Sequence, residues 1–487
     1  MAETNNTPLL QALAQYLSKD MYPLHTPGHK QGRYVWPIIK ELTKDLLAID
    51  LTELPGLDDL HNPQQAIAAS QQQAAVLFGA DRTFYLVQGA TSGIQAGMLA
   101  LGSPGKEFVL PRNAHRSAYA GMVMGNFKPR YLSPVMDEEW GFPLGVPTAQ
   151  YEVLDKPTPV LLLNPSYEGV APPMEQQVKM LHGKGMSVLV DEAHGSHFIF
   201  NGLLPPSAVA MGADIVIHGS HKTLPTMTQT AMAHVKQPIA ERLRMFLDIL
   251  QTTSPSYVLL ASLDGVQGYL AKDGCEDWAR AVTLAEILRR DISNLKEFQL
   301  LEDEYVRNKG MGELDKTRVV FRAGNKIDGF TLARMLREEK LEAEMCGWRH
   351  VVLIINPAED ETTIAFISQR LRRVANRIGI NSARDASFNV PLIGQTAAFS
   401  DWDVVLNPRQ AAFASSRMAA LKETVGEITA EAVVPYPPGI PLLWPGERIT
   451  QEVLERIVTL KRLGAHFQGI HDCDLNKIAI ISEVKEC

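Results

Sequence analysis

Between about Ala66 and Leu270 the sequence keeps returning to short apolar runs of strand length, separated by stretches with helical spacing. Val160–Leu163, Ser187–Val190 and Asp214–Ile217 are three such runs, and Glu175–Gly183 reads as a helix between two of them, stopped by Gly183. Strands this short and this continuously apolar are buried on both faces. Alternated with helices, they predict a large, mostly parallel sheet with helices on both sides, the α/β class.

The chain is longer than one such unit needs. At 487 residues it calls for two or three cores. A smaller α/β unit is expected from the strands Arg318–Phe321 and Val351–Ile355 and the helices Phe330–Lys340 and Thr362–Arg377. A polar stretch at 381–388 reads as a linker, and the loop at 433–447 is too rich in proline for a helix. The expected division is an N-terminal helix and interface segment (1–65), a large α/β domain (66–301), a small α/β domain (302–380) and a C-terminal domain (381–487). The first segment should carry a helix capped by Thr7 with Pro8 at its first position.

Several classes of function fall away at this stage. A net charge of −8 disfavours nucleic acid as a partner. The four cysteines form no CxxC pair, so neither a zinc site nor a disulfide scaffold is expected, and a reducing cytoplasm fits. No signal peptide is read at the N-terminus, and no apolar run approaches the roughly 20 residues that span a bilayer.

Polar residues at the ends of the apolar runs carry the chemistry. Asp191 closes one run in SVLVDEAHGSH, where open α/β sheets place their ligands. A carboxylate there needs a cationic or hydrogen-bonding partner; taken alone, it is equally suited to capping the next helix. Lys222 follows the next run in ADIVIHGSHKTL, flanked by Ser220 and His221. A lysine desolvated at a strand end is nucleophilic, although most lysines are plain surface groups. The two together form the pair that pyridoxal phosphate requires: an amine for its aldehyde, and an acid that keeps its ring nitrogen protonated. In VQGATSGIQAGMLA, the small residues from Gly89 to Gly93 precede a helical pattern and can cradle a phosphate. It is neither GxGxxG nor GxxxxGK[ST]. His115, in PRNAHRSAYAG, is a candidate to stack on a flat ring.

Eight blocks, in order, then resemble a known family: HTPGHK (25–30), DLTELPGLDDLHNP (50–63), PRNAHRS (111–117), NPSYEGV (164–170), VDEAHGSH (190–197), GSHKTL (219–224), TTSPSY (252–257) and YPPGIPLLWPGE (436–447). Together they are similar to the ornithine/lysine/arginine decarboxylases, fold-type-I pyridoxal phosphate enzymes. The resemblance implies a PLP-dependent transferase-like fold and the decarboxylation of arginine or lysine, less readily ornithine, to the corresponding polyamine-pathway amine. It implies Lys222 as the Schiff-base lysine with His221 beside it, Asp191 as the pyridinium partner and His115 as the stacking group. Ala90, Thr91, Ser92 and Ser220 fall at phosphate-contact positions, and His194 beside the ring. Thr253 and Ser254 lie in a segment that in the family reaches the other subunit's phosphate, which implies a homodimer with its active site at the interface. Glu344 falls where relatives place an acid facing the substrate's distal cation.

Two departures stand out. HTPGHK begins at His25, so the N-terminal wing domain that builds high oligomers is expected to be absent. Ala90 occupies a position where many relatives carry a hydroxyl. An aminotransferase shares Lys222, Asp191 and the cradle, but usually grips the α-carboxylate with arginine; the HTPGHK and YPPGIP blocks favour decarboxylation. A catalytically silent PLP-fold protein would be expected to have lost the lysine or the acid, and both are present.

Overall fold

The computed structural model describes residues 22–24, 58–382, 403–436, 441–462 and 465–483. The N-terminal helix read near Thr7, the HTPGHK block, and most of DLTELPGLDDLHNP lie outside them, as do residues 437–440 of the proline-rich loop.

Seven strands form the central sheet: β1 (Arg82–Leu86), β2 (Glu107–Pro111), β3 (Lys128–Leu132), β4 (Val160–Leu163), β5 (Val188–Asp191), β6 (Ile215–His218) and β7 (Ala231–Val235). Their spatial order is β1-β7-β6-β5-β4-β2-β3. The pairs β6/β5, β5/β4, β4/β2 and β2/β3 are parallel, while β7 runs antiparallel between β6 and β1. The two faces carry separate cores. Leu161, Leu189 and Ile217 pack with helix α1 (Gly89–Leu101) on one side, and Val160, Val188 and Val216 pack with helix α2 (Met174–Gly183) on the other. This double burial explains why the strands read as unbroken apolar runs rather than alternating ones.

Helix α1 sits unusually close to the sheet. A Cβ on Gly93 would lie 2.7 Å from Leu86 Cδ1 and 2.9 Å from Ile217 Cγ2, so the glycine is a packing requirement. In the described part of the DLTELPGLDDLHNP block, Asp58 accepts hydrogen bonds from the amides of Gln64, Gln65, Ile67 and Ala68 at the start of the helix Ala66–Phe78. Burial alone would raise its pKa, but these amides outweigh it and hold the carboxyl below its usual range.

Helix α3 (Tyr257–Ser293) joins this body to the next. At 37 residues it is about 55 Å long. Leu263, Val266 and Trp278 pack into the first body, and Leu284, Leu288 and Ile292 into the second. The second core lies under a four-stranded antiparallel sheet in the order Gln299–Leu300, β8 (Arg318–Arg322), Val351–Ile354, Met345–Cys346. It is covered by helices Gly329–Glu338 and Glu361–Ser382. The latter helix continues two residues into the span expected as a linker, and the rest of that span lies outside the described residues. The short strand Tyr22–Leu24 pairs in parallel with Leu341–Ala343.

The C-terminal part pairs Ser415–Ala420 with Lys477–Glu483 and packs helix Gln451–Arg462 against them. A buried ion pair ties it to the first body. Arg112 Nη2 donates to Glu447 Oε2 at 2.7 Å, Nη1 donates to Oε1, and Tyr119 stacks on Trp444 at 4.3 Å. Both charges are almost wholly excluded from water. Glu447→Ala therefore leaves a buried guanidinium without its carboxylate, at a cost of about 3–5 kcal/mol. A marked fall in the urea midpoint is expected, while the double variant Arg112→Met/Glu447→Leu should lose much less.

Candidate active site

Five strands with a common direction, β1, β2, β4, β5 and β6, deliver their C-terminal ends to one edge of the sheet, and a cavity of about 210 Å³ opens there. Each strand end contributes. Gly89, Ala90 and Thr91 follow β1; Asn113, His115 and Ser117 follow β2; Ser166, Tyr167 and Glu168 follow β4; Asp191 and His194 follow β5; His221 and Lys222 follow β6. Residues from Ala90 to Lys222 are thus gathered by topology alone, as expected for ligand sites in open α/β sheets.

Lys222 lies on a short helical turn, Ser220–Thr223, directly after β6. Its Nζ is 2.9 Å from His194 Nε2 and 5.7 Å from the centre of the Tyr167 ring. Burial pushes the amine below the usual lysine pKa; the carboxylates of Asp191 and Glu344 oppose this, and Arg318 reinforces it. Asp191 stands one strand away, in register with Ile217, and its Oδ1 accepts from the Ala193 amide at 3.1 Å. His115 is the N-cap of helix Arg116–Gly125, its Nδ1 accepting from the Ser117 amide at 3.2 Å. Its ring keeps an exposed face, and the protein packed around the rest of it lowers its pKa, which favours the neutral ring at the cavity wall. His221 Nδ1 donates to the Thr230 carbonyl at 2.9 Å, which fixes the orientation of the ring.

Other expected residues lie outside the cavity wall. Ser92 is buried, and its hydroxyl donates to the Gly89 carbonyl of its own helix. Ser220 is buried on the lysine turn, and its Oγ bonds to no protein atom among the described residues. Thr253 and Ser254 are exposed in the loop before α3 and do not line this chain's own cavity. Glu344 lies on the small-sheet side, its amide donating to the Val352 carbonyl at 3.0 Å. It acts on Lys222 and Arg318 through its charge.

The sequence reading missed Tyr167, Glu168, Asn113 and Arg318 as individual site residues. The first two belong to a polar segment that closes a strand, the same signal that marked Asp191. Arg318 opens an apolar strand of the second body and is wholly buried, with Nη2 3.0 Å from His194 Nδ1. Its approach explains Gly169 in NPSYEGV: φ is +87°, and a Cβ would lie 2.7 Å from Arg318 Cγ.

The cavity suits the cofactor that the resemblance implies. An amine and a carboxylate face it from neighbouring strands. The first turn of the 13-residue helix α1 lines it, and the leading amides of a helix have no intrahelical partners. Among the described residues, Asn113 Oδ1 and Glu168 Oε1 are buried on its wall without a hydrogen-bond partner, His350 Nε2 standing 3.7 Å from the latter, a costly state that a polar ligand relieves. Among the described residues, no group of His, Cys, Asp and Glu is placed to hold a metal ion, and no helix is long and apolar enough to cross a membrane.

Fold and site together define a fold-type-I α/β enzyme built around a half-buried lysine. The chain belongs to the Orn/Lys/Arg decarboxylase family and is a decarboxylase, a lyase: the family's major domain matches residues 7–330 and its C-terminal domain residues 395–474. It is 32% identical over 495 residues to an arginine decarboxylase of Bacillus subtilis, covering 99% of both chains. Against an inducible lysine decarboxylase of Escherichia coli, identity is 23%, covering 95% of this chain and 78% of the other. The crystal structure of a Francisella novicida lysine decarboxylase superposes with a TM-score of 0.77 at 19% identity, covering 97% of this chain and 83% of that one.

Behind Asp191, the wholly buried Glu192 anchors the strand end. It accepts from Ser207 Oγ at 2.6 Å, Asn164 Nδ2 at 2.7 Å and the Ala208 amide at 2.6 Å, and lies 2.8 Å from His218 Nε2. His218 Nδ1 continues to His234 Nε2 at 3.0 Å. Burial pushes Glu192 up to about 7 and His218 down to about 3. Whichever partner holds it, the folded pair carries one proton at mildly acidic pH. So does the unfolded chain, on its histidine, and this pair therefore leaves stability nearly flat there. Glu192→Gln removes the carboxyl. The folded variant then carries no proton while unfolded His218 still takes one, so stability should rise with pH between about 3 and 6.5. Urea midpoints measured across that window check this.

Proposed function

We propose that the chain is a pyridoxal-phosphate-dependent arginine decarboxylase that releases agmatine, a polyamine precursor, and CO2. The observation that carries this reading is the placement of Lys222 and Asp191 on one cavity wall, at the ends of neighbouring strands. The full-length likeness to an arginine decarboxylase favours arginine over lysine.

When bound, pyridoxal phosphate supplies an electron sink for the pair released by the breaking Cα–carboxylate bond. The chain's own groups set the conditions. Lys222 is the amine that would hold the cofactor's aldehyde. Asp191 would keep a proton on the ring nitrogen. His115 would stand beside the ring and limit water. The amides of Ala90 and Thr91 at the start of α1 would hold the phosphate, with the Ser92 and Ser220 hydroxyls as further candidates. Lys222 and His221 are the groups assigned to returning a proton to Cα. Glu344 meets the substrate's distal guanidinium; a planar cation can engage a carboxylate through two parallel bonds, an advantage that an ammonium lacks.

Thr253 and Ser254, exposed and not lining their own cavity, suit a homodimer in which each chain completes its partner's phosphate site. Cys275, Cys346 and Cys473 are free thiols, which fits a reducing cytoplasm.

Purified chain supplied with pyridoxal phosphate and arginine, lysine or ornithine in turn should form agmatine with a kcat/KM at least tenfold above either rival. Preference for lysine would overturn the substrate, and formation of a keto acid without CO2 would overturn the reaction. Lys222→Ala should abolish turnover and the cofactor's bound absorbance. Asp191→Ala should retain some cofactor and lose turnover by a factor on the order of 10²–10³.

A further inference from the structure

His194 touches a cation on each side. Its Nε2 lies 2.9 Å from Lys222 Nζ and its Nδ1 3.0 Å from Arg318 Nη2. A second contact from Arg318 Nη2, to the His194 carbonyl at 3.3 Å, fixes the guanidinium against this residue. A guanidinium only donates hydrogen bonds, so Nδ1 must accept. A neutral imidazole carries one proton, which therefore sits on Nε2. That N–H points at Lys222 Nζ, and a hydrogen bond forms only if Nζ presents a lone pair. We infer that Arg318 is a positioning residue that locks His194 in its Nε2–H tautomer and thereby holds Lys222 as the neutral amine.

The surrounding groups are consistent with this assignment. A doubly protonated His194 would place three positive charges in line in a buried site, and burial together with Lys222 and Arg318 pushes its pKa well below the usual histidine value. Asp315 offsets the guanidinium instead, its Oδ2 3.7 Å from Arg318 Nε and 3.1 Å from His197 Nε2. Lys222 is also faced by Asp191 from β5 and Glu344 from the second body, which pull toward the ammonium, and by Tyr167. His194 is faced in addition by His115 and His221. The arginine-to-histidine contact thus counters two carboxylates that would otherwise charge the amine. A neutral amine is the form that attacks an aldehyde. The small-sheet strand β8 therefore reaches across to set the chemical state of a residue on the large sheet.

The functional meaning rests on the reading of Lys222 as the cofactor lysine, but the test does not. Full-length chain freed of cofactor is labelled with trace acetic anhydride across a pH series, and acetylation of the Lys222 peptide is followed by mass spectrometry to give the amine's apparent pKa. His194→Met removes the donor without changing charge, and the pKa should rise by about one unit. His194→Gln, whose amide can accept from Arg318 and donate to Lys222, should stay near the native value. Arg318→Met should also raise it. If that variant unfolds, the histidine pair still decides. A fall in pKa in His194→Met would mean that His194 accepts from an ammonium, and an unchanged value would mean no coupling; either overturns the inference. Loss of bound-cofactor absorbance in Lys222→Ala tests the underlying reading separately.

Discussion

The whole site depends on keeping an amine out of water without leaving it charged and alone. Lys222 lies at the carboxyl end of a strand buried on both faces, in a cavity walled by five strand ends. Burial favours the neutral amine, and the two nearby carboxylates favour the cation. What surrounds the lysine is largely a means of setting that balance. Asp191 supplies the charge that a cofactor ring would use. His194 supplies a directed contact to Nζ. Arg318, carried by a different sheet, fixes which way His194 points.

The rest of the fold holds these parts in register. The parallel strands deliver the polar segments to one edge, and Gly93 lets helix α1 lie close against them. The 37-residue helix α3 packs into both cores and so joins the body that carries β8 and Arg318 to the one that carries the large sheet. The Arg112–Glu447 pair ties the C-terminal part to the residues just before His115. The cavity wall itself comes from the first body alone, and the other two regions reach it indirectly, through Arg318 on His194 and through Glu447 on Arg112.

Much of this was legible in the sequence. Val160–Leu163 appears as read, and the other apolar runs shift by a residue at most, because doubly buried strands have no other pattern available to them. Asp191 and Lys222 stood out because a charge closing an apolar run must have a purpose. Tyr167 and Glu168 carried the same signal but were left unassigned within NPSYEGV. Arg318 was hidden for another reason: it begins a strand of the second body, and only the three-dimensional contact with His194 reveals its place. The reason for Gly169 was equally invisible, since the side chain that excludes a Cβ lies about 150 residues further on. Ser92 and Ser220, named from the resemblance, are buried beside the cavity rather than on its wall, and tertiary packing alone decides such detail.

The most direct test of the account is chemical trapping. Chain saturated with pyridoxal phosphate is reduced with borohydride, digested and mapped by mass spectrometry. A single reduced pyridoxyl adduct is expected, on Lys222. An adduct on another lysine, or none at all from a folded and cofactor-saturated sample, would contradict it.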